Sequence, residues 1–257
     1  MASLDEAIAE AAKLIAEASS VVAFTGAGIS VESGIPDFRS AGGLWSKYDP
    51  SVYCSYQVFL ERPELFWKMA LEIYELMSHA KPNAAHVALA ELENCGLLSC
   101  VITQNVDNLH QRAGNKKVYE LHGNAITCSC ITCKTKFACD DVIRPLQETS
   151  ILTVPKCNTC QGILKLDVVL FGEALPSLVV EDAMTSTIAA DVLLVVGTSL
   201  TVSPANSLVD LCRRHQGKVI ICDRDSSKSF LADVKLTGNA GEVLPRLVDA
   251  CKHICKL

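Results

Sequence analysis

Four short apolar runs set the limits on what this chain can fold into. They lie at residues 21–24, 100–103, 192–196 and 219–222, and they lead into the turns TGAG, QNVD, GTSL and DRDS. Runs of this length with no polar alternation read as strands covered on both faces. Helical patterns fall between them, at residues 4–18, 83–95 and 204–215, the second ending at Gly96, a residue suited to a helix C-terminus. Strands alternating with helices predict an α/β fold, a doubly wound Rossmann-like parallel sheet. Ligands of such sheets bind at the carboxyl ends of the strands. The unusual turn sequences should therefore meet in one crevice.

Two segments break the alternation. Residues 44–80 hold both tryptophans and a long helical pattern near 63–79, and read as a helical insert. Residues 125–165 are polar, rich in cysteine and short of strands, and read as a small zinc-binding module inserted into the main domain. The main domain then comprises residues 1–43, 81–124 and 166–257. Half of the 257 residues are apolar, enough for a large core. The net charge of −6 opposes a non-specific nucleic-acid binder, which needs surplus Lys and Arg to neutralise phosphates. A basic, lysine-bearing peptide remains a suitable partner. The N-terminal segment is an acidic amphipathic helix capped by Ser3, without the charged start and apolar stretch of a signal peptide. No run approaches the ~20 apolar residues of a membrane span. A cytoplasmic location is expected.

The 13 cysteines are many for a chain of this size. Without a signal peptide they are expected to be reduced. Cys54, Cys95, Cys100, Cys212 and Cys222 lie in apolar or helical contexts and read as packing residues. Two Cys-x-x-Cys pairs differ from these: Cys130/Cys133 and Cys157/Cys160. Each pair places two thiolates on one ion, and together they complete a tetrahedral Zn²⁺ site. Cys128 is an alternative first ligand, but the spacing of Cys130 to Cys133 mirrors the second pair. Four thiolates leave no open position, so the metal is structural. A redox Cys-x-x-Cys occurs singly, at a helix start, and fits less well.

The loop TGAGISVESGIPDFRS begins like a nucleotide-binding turn. Gly26, Ala27 and Gly28 allow close backbone approach to a pyrophosphate. The third glycine of the dinucleotide fingerprint is replaced by Val31, and the acidic residue expected about 20 positions on is missing. The fingerprint of an ordinary dehydrogenase is therefore absent. After the second strand, Gln104, Asn105 and Asp107 gather at a carboxyl end, within reach of a ribose or an amide; Asp107 alternatively caps the next helix. His122 reaches the same end of the sheet and has an imidazole suited to act as a base near neutral pH. His79, His86, His215 and His253 fall in helical patterns and read as surface or packing residues.

Taken in order, GAGIS…GIPDFR, TQNVDNLHQRAG, ELHGN, the two Cys-x-x-Cys pairs, FGEALP and GTSLTVSPA resemble the sirtuins, NAD-dependent protein-lysine deacylases. The likeness runs from about residue 4 to residue 250, and the compact length resembles a bare catalytic core. It implies that NAD is cleaved and that the acyl group passes to ADP-ribose, with release of nicotinamide and O-acyl-ADP-ribose. By the same likeness Gly26, Ala27 and Gly28 contact phosphates and ribose, while Ile29, Asn105, Val106 and Asp107 form a nicotinamide pocket. Phe38 shields the ribose, Asp37 and Arg39 belong to the same cofactor loop, and Gln104 contacts the nicotinamide ribose. Gly197, Thr198 and Ser199 take the pyrophosphate and adenosine side. His122 and Asn105 are the implied catalytic residues. An acyl-lysine peptide would lie between Phe171, Gly172 and Glu173 on one edge and the loop at Val202 on the other. Phe38, His122, Val169, Phe171 and Val202 would line its acyl tunnel.

Family members that prefer succinyl or malonyl groups carry Tyr-x-x-Arg in the helical insert; the matching positions here are Ala70 and Ile73. Acetyl or other neutral acyl groups are therefore expected. The sequence departs from the family at Asp223, where Asn is common near the adenosine ribose. A carboxylate still accepts from ribose hydroxyls but adds negative charge near the pyrophosphate. Protein ADP-ribosyl transfer at the same site is the alternative activity. A zinc-ribbon binding module beside a nucleotide sensor is the non-enzymatic alternative, and the Asn105, Asp107 and His122 set opposes it.

Overall fold

The computed structural model describes residues 3–38, 42–148, 153–225 and 229–257. Nine strands are present among them. In chain order they are β1 (Val21–Thr25), β2 (Cys100–Thr103), β3 (Val118–Glu120), β4 (Gly123–Cys130), β5 (Lys136–Ala138), β6 (Leu164–Val168), β7 (Val192–Val196), β8 (Lys218–Asp223) and β9 (Val234–Thr237). The helices are α1 (Leu4–Glu17), α2 (Leu44–Lys47), α3 (Pro50–Tyr53), α4 (Tyr56–Glu61), α5 (Pro63–His79), α6 (Ala84–Asn94), α7 (Leu109–Ala113), α8 (Cys139–Gln147), α9 (Ser177–Ile188), α10 (Ser207–Arg214) and α11 (Ala240–Cys255).

The main sheet is parallel throughout, in the order β3-β2-β1-β7-β8-β9. Renumbered within the sheet, this is the 3-2-1-4-5-6 order of doubly wound dinucleotide folds, whose ligand crevice opens where the order reverses. Here that point lies between β1 and β7. Residues of each central strand alternate between two cores. Val21, Ala23, Val192, Leu194 and Val196 join α1, α6 and α11 on one face. Val22, Phe24, Leu193, Val195 and Ile221 join α9 and α10 on the other. This double coverage explains the unbroken apolar runs. The start of α1 is a capping box: the Glu6 N–H donates to Ser3 Oγ, and the Ser3 N–H donates to Glu6 Oε2. The helix α6 ends before Gly96, whose φ of +75° carries the chain out of the helix.

A third cluster joins the helical insert to the cysteine-rich segment. Phe59, Phe66, Trp67 and Met69 pack with Cys128, Ile143, Leu164 and Leu166. The Trp67 indole donates to the Leu164 carbonyl at 3.0 Å. Residues 125–165 read as short of strands, yet β4, β5 and β6 form an antiparallel sheet in the order β5-β4-β6. The pattern is hidden because cysteines take inward positions. Cys128 and Cys130 are fully buried while Ser129 between them is not, a period of two without Val or Ile. No described helix is long and apolar enough to cross a membrane.

The turns after β1 and β7 press directly against each other. The Gly26 N–H donates to the Val196 carbonyl at 3.1 Å and the Gly28 N–H to the Gly197 carbonyl at 2.8 Å. A methyl group at Gly28 would stand 2.7 Å from the Gly197 oxygen, and one at Gly197, where φ is +57°, would stand 2.4 Å from the Ile29 nitrogen. Gly34 has φ +86° with open space around it. In urea denaturation Gly34→Ala should cost about 1–2 kcal/mol, the strain of a left-handed L-residue. Gly197→Ala should cost measurably more, because strain and a backbone clash coincide there.

Candidate active site and metal centre

A cavity of about 800 Å³ opens at the carboxyl ends of β1, β2, β7 and β8 and runs between the sheet and the small domain. The residues expected to bind a nucleotide, Gly26, Ala27, Gly28, Asp37, Phe38, Gln104, Asn105, Asp107, His122, Gly197, Thr198, Ser199 and Asp223, all line it. So do Val106 and the expected substrate residues Val169, Phe171, Gly172, Glu173 and Val202. Arg39 lies outside the described residues. Ile29 is placed differently from the expectation. It is fully buried in the core of the α1, α6 and α11 face and is not among the lining residues. Its carbonyl accepts from the Asn83 amide at 2.7 Å, holding the loop onto the start of α6.

Asn105 is buried at the end of β2. Its amide donates to the Gly26 carbonyl at 3.2 Å and to Ser30 Oγ at 3.1 Å. Ser30 in turn donates to Asp107 Oδ2 at 2.6 Å. The other Asp107 oxygen accepts the Leu109 N–H at 3.0 Å, so this residue both supports α7 and faces the cavity. Burial raises the Asp107 carboxyl above its ordinary pKa, with the Ser30 and Leu109 bonds opposing the rise. Beneath these groups lie two buried histidines that helix periodicity had concealed. His86 Nδ1 accepts from the Asn83 N–H, so Nε2 carries the proton and points at Ser30 Oγ, 3.5 Å away. His110 Nε2 lies 2.9 Å from Thr25 Oγ1, which donates to Thr103 Oγ1, and that oxygen accepts the Asn105 N–H. Burial pushes His86 down to about 4 and His110 down to about 3, so both are neutral near pH 7. Ser30 and His110 were not singled out in the sequence, and His86 read only as a surface or packing residue, because each side chain acts through a neighbour distant along the chain.

His122 stands at the junction of the two domains. Its Nδ1 is 3.0 Å from the Gln104 carbonyl, and its own carbonyl accepts the Val169 N–H at 2.8 Å. A carbonyl only accepts, so Nδ1 carries the proton and Nε2 is left with a lone pair. Burial lowers the His122 pKa, and the Gln104 bond partly offsets this. The ring is thus an oriented neutral base. Gly123 follows with φ +71°, and a methyl there would sit 1.9 Å from the Asp167 oxygen. Only glycine lets β4 leave the histidine at this angle.

Gln104 Nε2 donates to Thr198 Oγ1 at 2.8 Å, linking the ends of β2 and β7. At the end of β8, Asp223 Oδ1 accepts the Asp225 N–H at 2.8 Å. At the mouth Phe38, Trp45 and Phe171 form an aromatic row with centroid separations of 5.6 and 6.2 Å. Glu173 accepts the Leu170 N–H at 2.8 Å and pairs with Lys165 at 3.1 Å, both side chains largely buried. The inner end of the cavity is apolar. Phe66, Met69, Ala70, Ile73, Met77 and Leu170 line it, together with Cys54, which also packs on Met69.

Cys130, Cys133, Cys157 and Cys160 bring their sulfurs within 4.8 Å of one another. Cys128 is outside this group, buried in the small-domain core, which settles the first ligand as Cys130. Zinc–sulfur bonds of about 2.3 Å in a tetrahedron place sulfurs roughly 3.8 Å apart. The Cys130–Cys160 and Cys133–Cys157 pairs stand at 3.5 and 3.6 Å. The Cys133 N–H donates to Cys130 Sγ at 3.5 Å and the Gly162 N–H to Cys160 Sγ at 3.4 Å, contacts that favour thiolates. The donor set fits a structural zinc with no open position.

A Sir2 family model matches residues 26–204. An NAD-dependent protein deacylase of Thermococcus kodakarensis is 44% identical over 248 residues, covering 96% of each chain. NAD-dependent protein deacylase 2 of Archaeoglobus fulgidus is 40% identical over 253 residues, covering 98% of each. Among solved structures, a Sir2 homologue–NAD complex aligns with TM-score 0.87 at 42% identity, over 95% of this chain and 94% of that one. A Sir2 protein bound to a myristoylated histone peptide aligns with TM-score 0.82 at 34% identity, over 98% and 99%. With a 3-2-1-4-5-6 sheet, a four-cysteine module and a histidine at the crevice between them, the chain belongs to the Sir2 family.

Elemental analysis of purified protein should find one zinc per chain. Cys157→Ser or a strong chelator should remove it and unfold the small domain, seen as loss of near-UV signal from Trp67 and a lowered Tm.

Proposed function

We propose that this chain is an NAD-dependent protein-lysine deacylase that takes acetyl and longer neutral acyl groups from lysine side chains of peptides and proteins. The observation that carries this reading is the convergence of three separated sequences on one cavity: the glycine turn after β1, Asn105 after β2, and the oriented Nε2 of His122. Gly26–Gly28 and Gly197–Ser199 form the floor against which a pyrophosphate fits. Asn105 and Asp107 offer an amide and a carboxylate for the carboxamide of nicotinamide. The chemistry that NAD supplies when bound is a ribosyl carbon that takes the acyl group as nicotinamide leaves. His122 Nε2 accepts the proton of a ribose hydroxyl, while Phe38 and its aromatic neighbours keep water from the reacting centre. The small-domain junction holds the acyl-lysine in line, and positioning of this kind supplies several kcal/mol. The peptide lies along Phe171–Glu173 and the loop at Val202. A cytoplasmic setting suits the four-cysteine centre, whose thiols must stay reduced to hold a metal.

Incubation with NAD and an acetyl-lysine peptide should release nicotinamide and O-acetyl-ADP-ribose in equal amounts. His122→Ala should lower kcat by about 10²–10⁴-fold, the contribution of a positioned base. Because burial depresses the His122 pKa, the ring stays neutral to a pH below its ordinary value. The acid limb of kcat/KM should lie below pH 6.5, the ring's ordinary value, flat above it and falling as pH drops through the depressed pKa. An acid limb above that value would oppose the assignment.

The apolar inner end of the cavity sets the acyl preference. Each buried methylene contributes about 0.8 kcal/mol, whereas a carboxylate placed against Ala70 and Ile73 loses its water without replacement. A Sir2 relative that binds a myristoylated peptide supports the same reading. Octanoyl- or myristoyl-lysine peptides should show a lower KM than acetyl-lysine, and succinyl-lysine should be turned over at least tenfold more slowly than butyryl-lysine. Ala70→Tyr with Ile73→Arg should narrow that gap.

A further inference from the structure

Helix α9 carries exposed apolar residues outside the face that it buries. On its inner side Ala183 and Thr187 are fully buried, and Val179 and Val180 pack partly against the core under the sheet. On its outer side Leu178, Met184 and Ile188 are 76%, 42% and 41% exposed. A surface helix ordinarily gives its outer side to polar residues. Here Val180, at the border of the buried side, Met184 and Ile188 recur every four residues, one above the other. They form one wall of a shallow open groove whose other wall is Leu175 and Pro204. Glu173, Leu175 and Pro204 also line the catalytic cavity. The groove therefore starts at the mouth of that cavity, where Phe171–Glu173 and Val202 flank it, and leads away along α9.

Resting on the deacylase reading above, we propose that this groove is a substrate subsite that receives apolar side chains of the polypeptide flanking the acyl-lysine. From Ser177 to Ile188 the helix rises about 16 Å at 1.5 Å per residue. An extended peptide advances roughly 3.3 Å per residue, so about five residues span the groove. The subsite thus reads apolar residues roughly three to six positions from the modified lysine. Glu181 lines the groove, and α9 contains no Lys or Arg. A neighbouring Lys or Arg in the substrate is favoured for that reason. A second copy of this chain suits the groove less well. It carries a net charge of −6 and would bring the same acidic helix against itself.

The test compares four acetyl-lysine substrates: a tripeptide, two 13-residue peptides with Leu at positions three to six on one side of the lysine or on the other, and a 13-residue peptide with Ser in place of Leu. Wild type should favour one Leu peptide over the Ser peptide by about tenfold in kcat/KM, the effect of burying one Leu side chain. Met184→Glu and Ile188→Glu should abolish that advantage while leaving the tripeptide kcat/KM and the KM for NAD at wild-type values. Equal turnover of Leu and Ser peptides by wild type overturns the proposal, as does an advantage that survives both substitutions. A concentration-dependent dimer in sedimentation that Met184→Glu dissolves also overturns it, by assigning the groove to a second copy. Failure of wild type to deacetylate the tripeptide strikes the deacylase reading itself, a result separate from any preference among long peptides.

Discussion

The molecule is organised around the place where the turns after β1 and β7 touch. The Gly28 N–H donates to the Gly197 carbonyl, and the three backbones at Gly26, Gly28 and Gly197 leave no room for a Cβ. This contact brings the first quarter of the chain against its last quarter at the point where strand order reverses. Every side chain of the cavity floor is positioned from it. Asn105 binds the Gly26 carbonyl, Gln104 binds Thr198, and Ser30 ties the 3₁₀ turn after Gly26 to Asp107. The glycines do more than let a pyrophosphate approach: they let two strand ends meet.

The second requirement is a wall opposite that floor, and the small domain supplies it. Its core combines the helical insert with the sheet β5-β4-β6. Trp67 connects the two through the Leu164 carbonyl, and the Ser55–Phe171 bridge ties the insert to the segment after β6. The cysteine cluster closes the distal loops, where few apolar residues are available to do so. His122 stands between floor and wall, its ring on the Gln104 carbonyl and its own carbonyl accepting the Val169 N–H just past β6. The ring orientation thus depends on two segments that are distant along the chain from His122.

Much of this was legible in the chain. Unbroken apolar runs marked the central strands because those strands are covered on both faces. The Cys-x-x-Cys spacing marked the metal centre because two knuckles suffice for a tetrahedral ion. The strands of the cysteine module were not legible, since Cys128 and Cys130 occupy inward positions that Val or Ile would have advertised. The place of Ile29 in the motif does not state its direction, and its side chain turns into the core. His86 had the spacing of a packing residue, and His110 was not singled out at all. They are packing residues, yet each also supports Ser30 or Thr25 by a hydrogen bond.

The sequence alone determined the strand and helix periods, the tight turns that demand glycine, the four thiols and the types of side chain available for catalysis. These depend on local sterics and on spacing of a few residues, which the order of residues states directly. Only the tertiary structure decided which oxygen each amide meets, which ring nitrogen of His122 is left as a base, and where α9 exposes apolar residues. Those follow from contacts between segments tens of residues apart, whose geometry is set by the packed sheet and not by any neighbour along the chain.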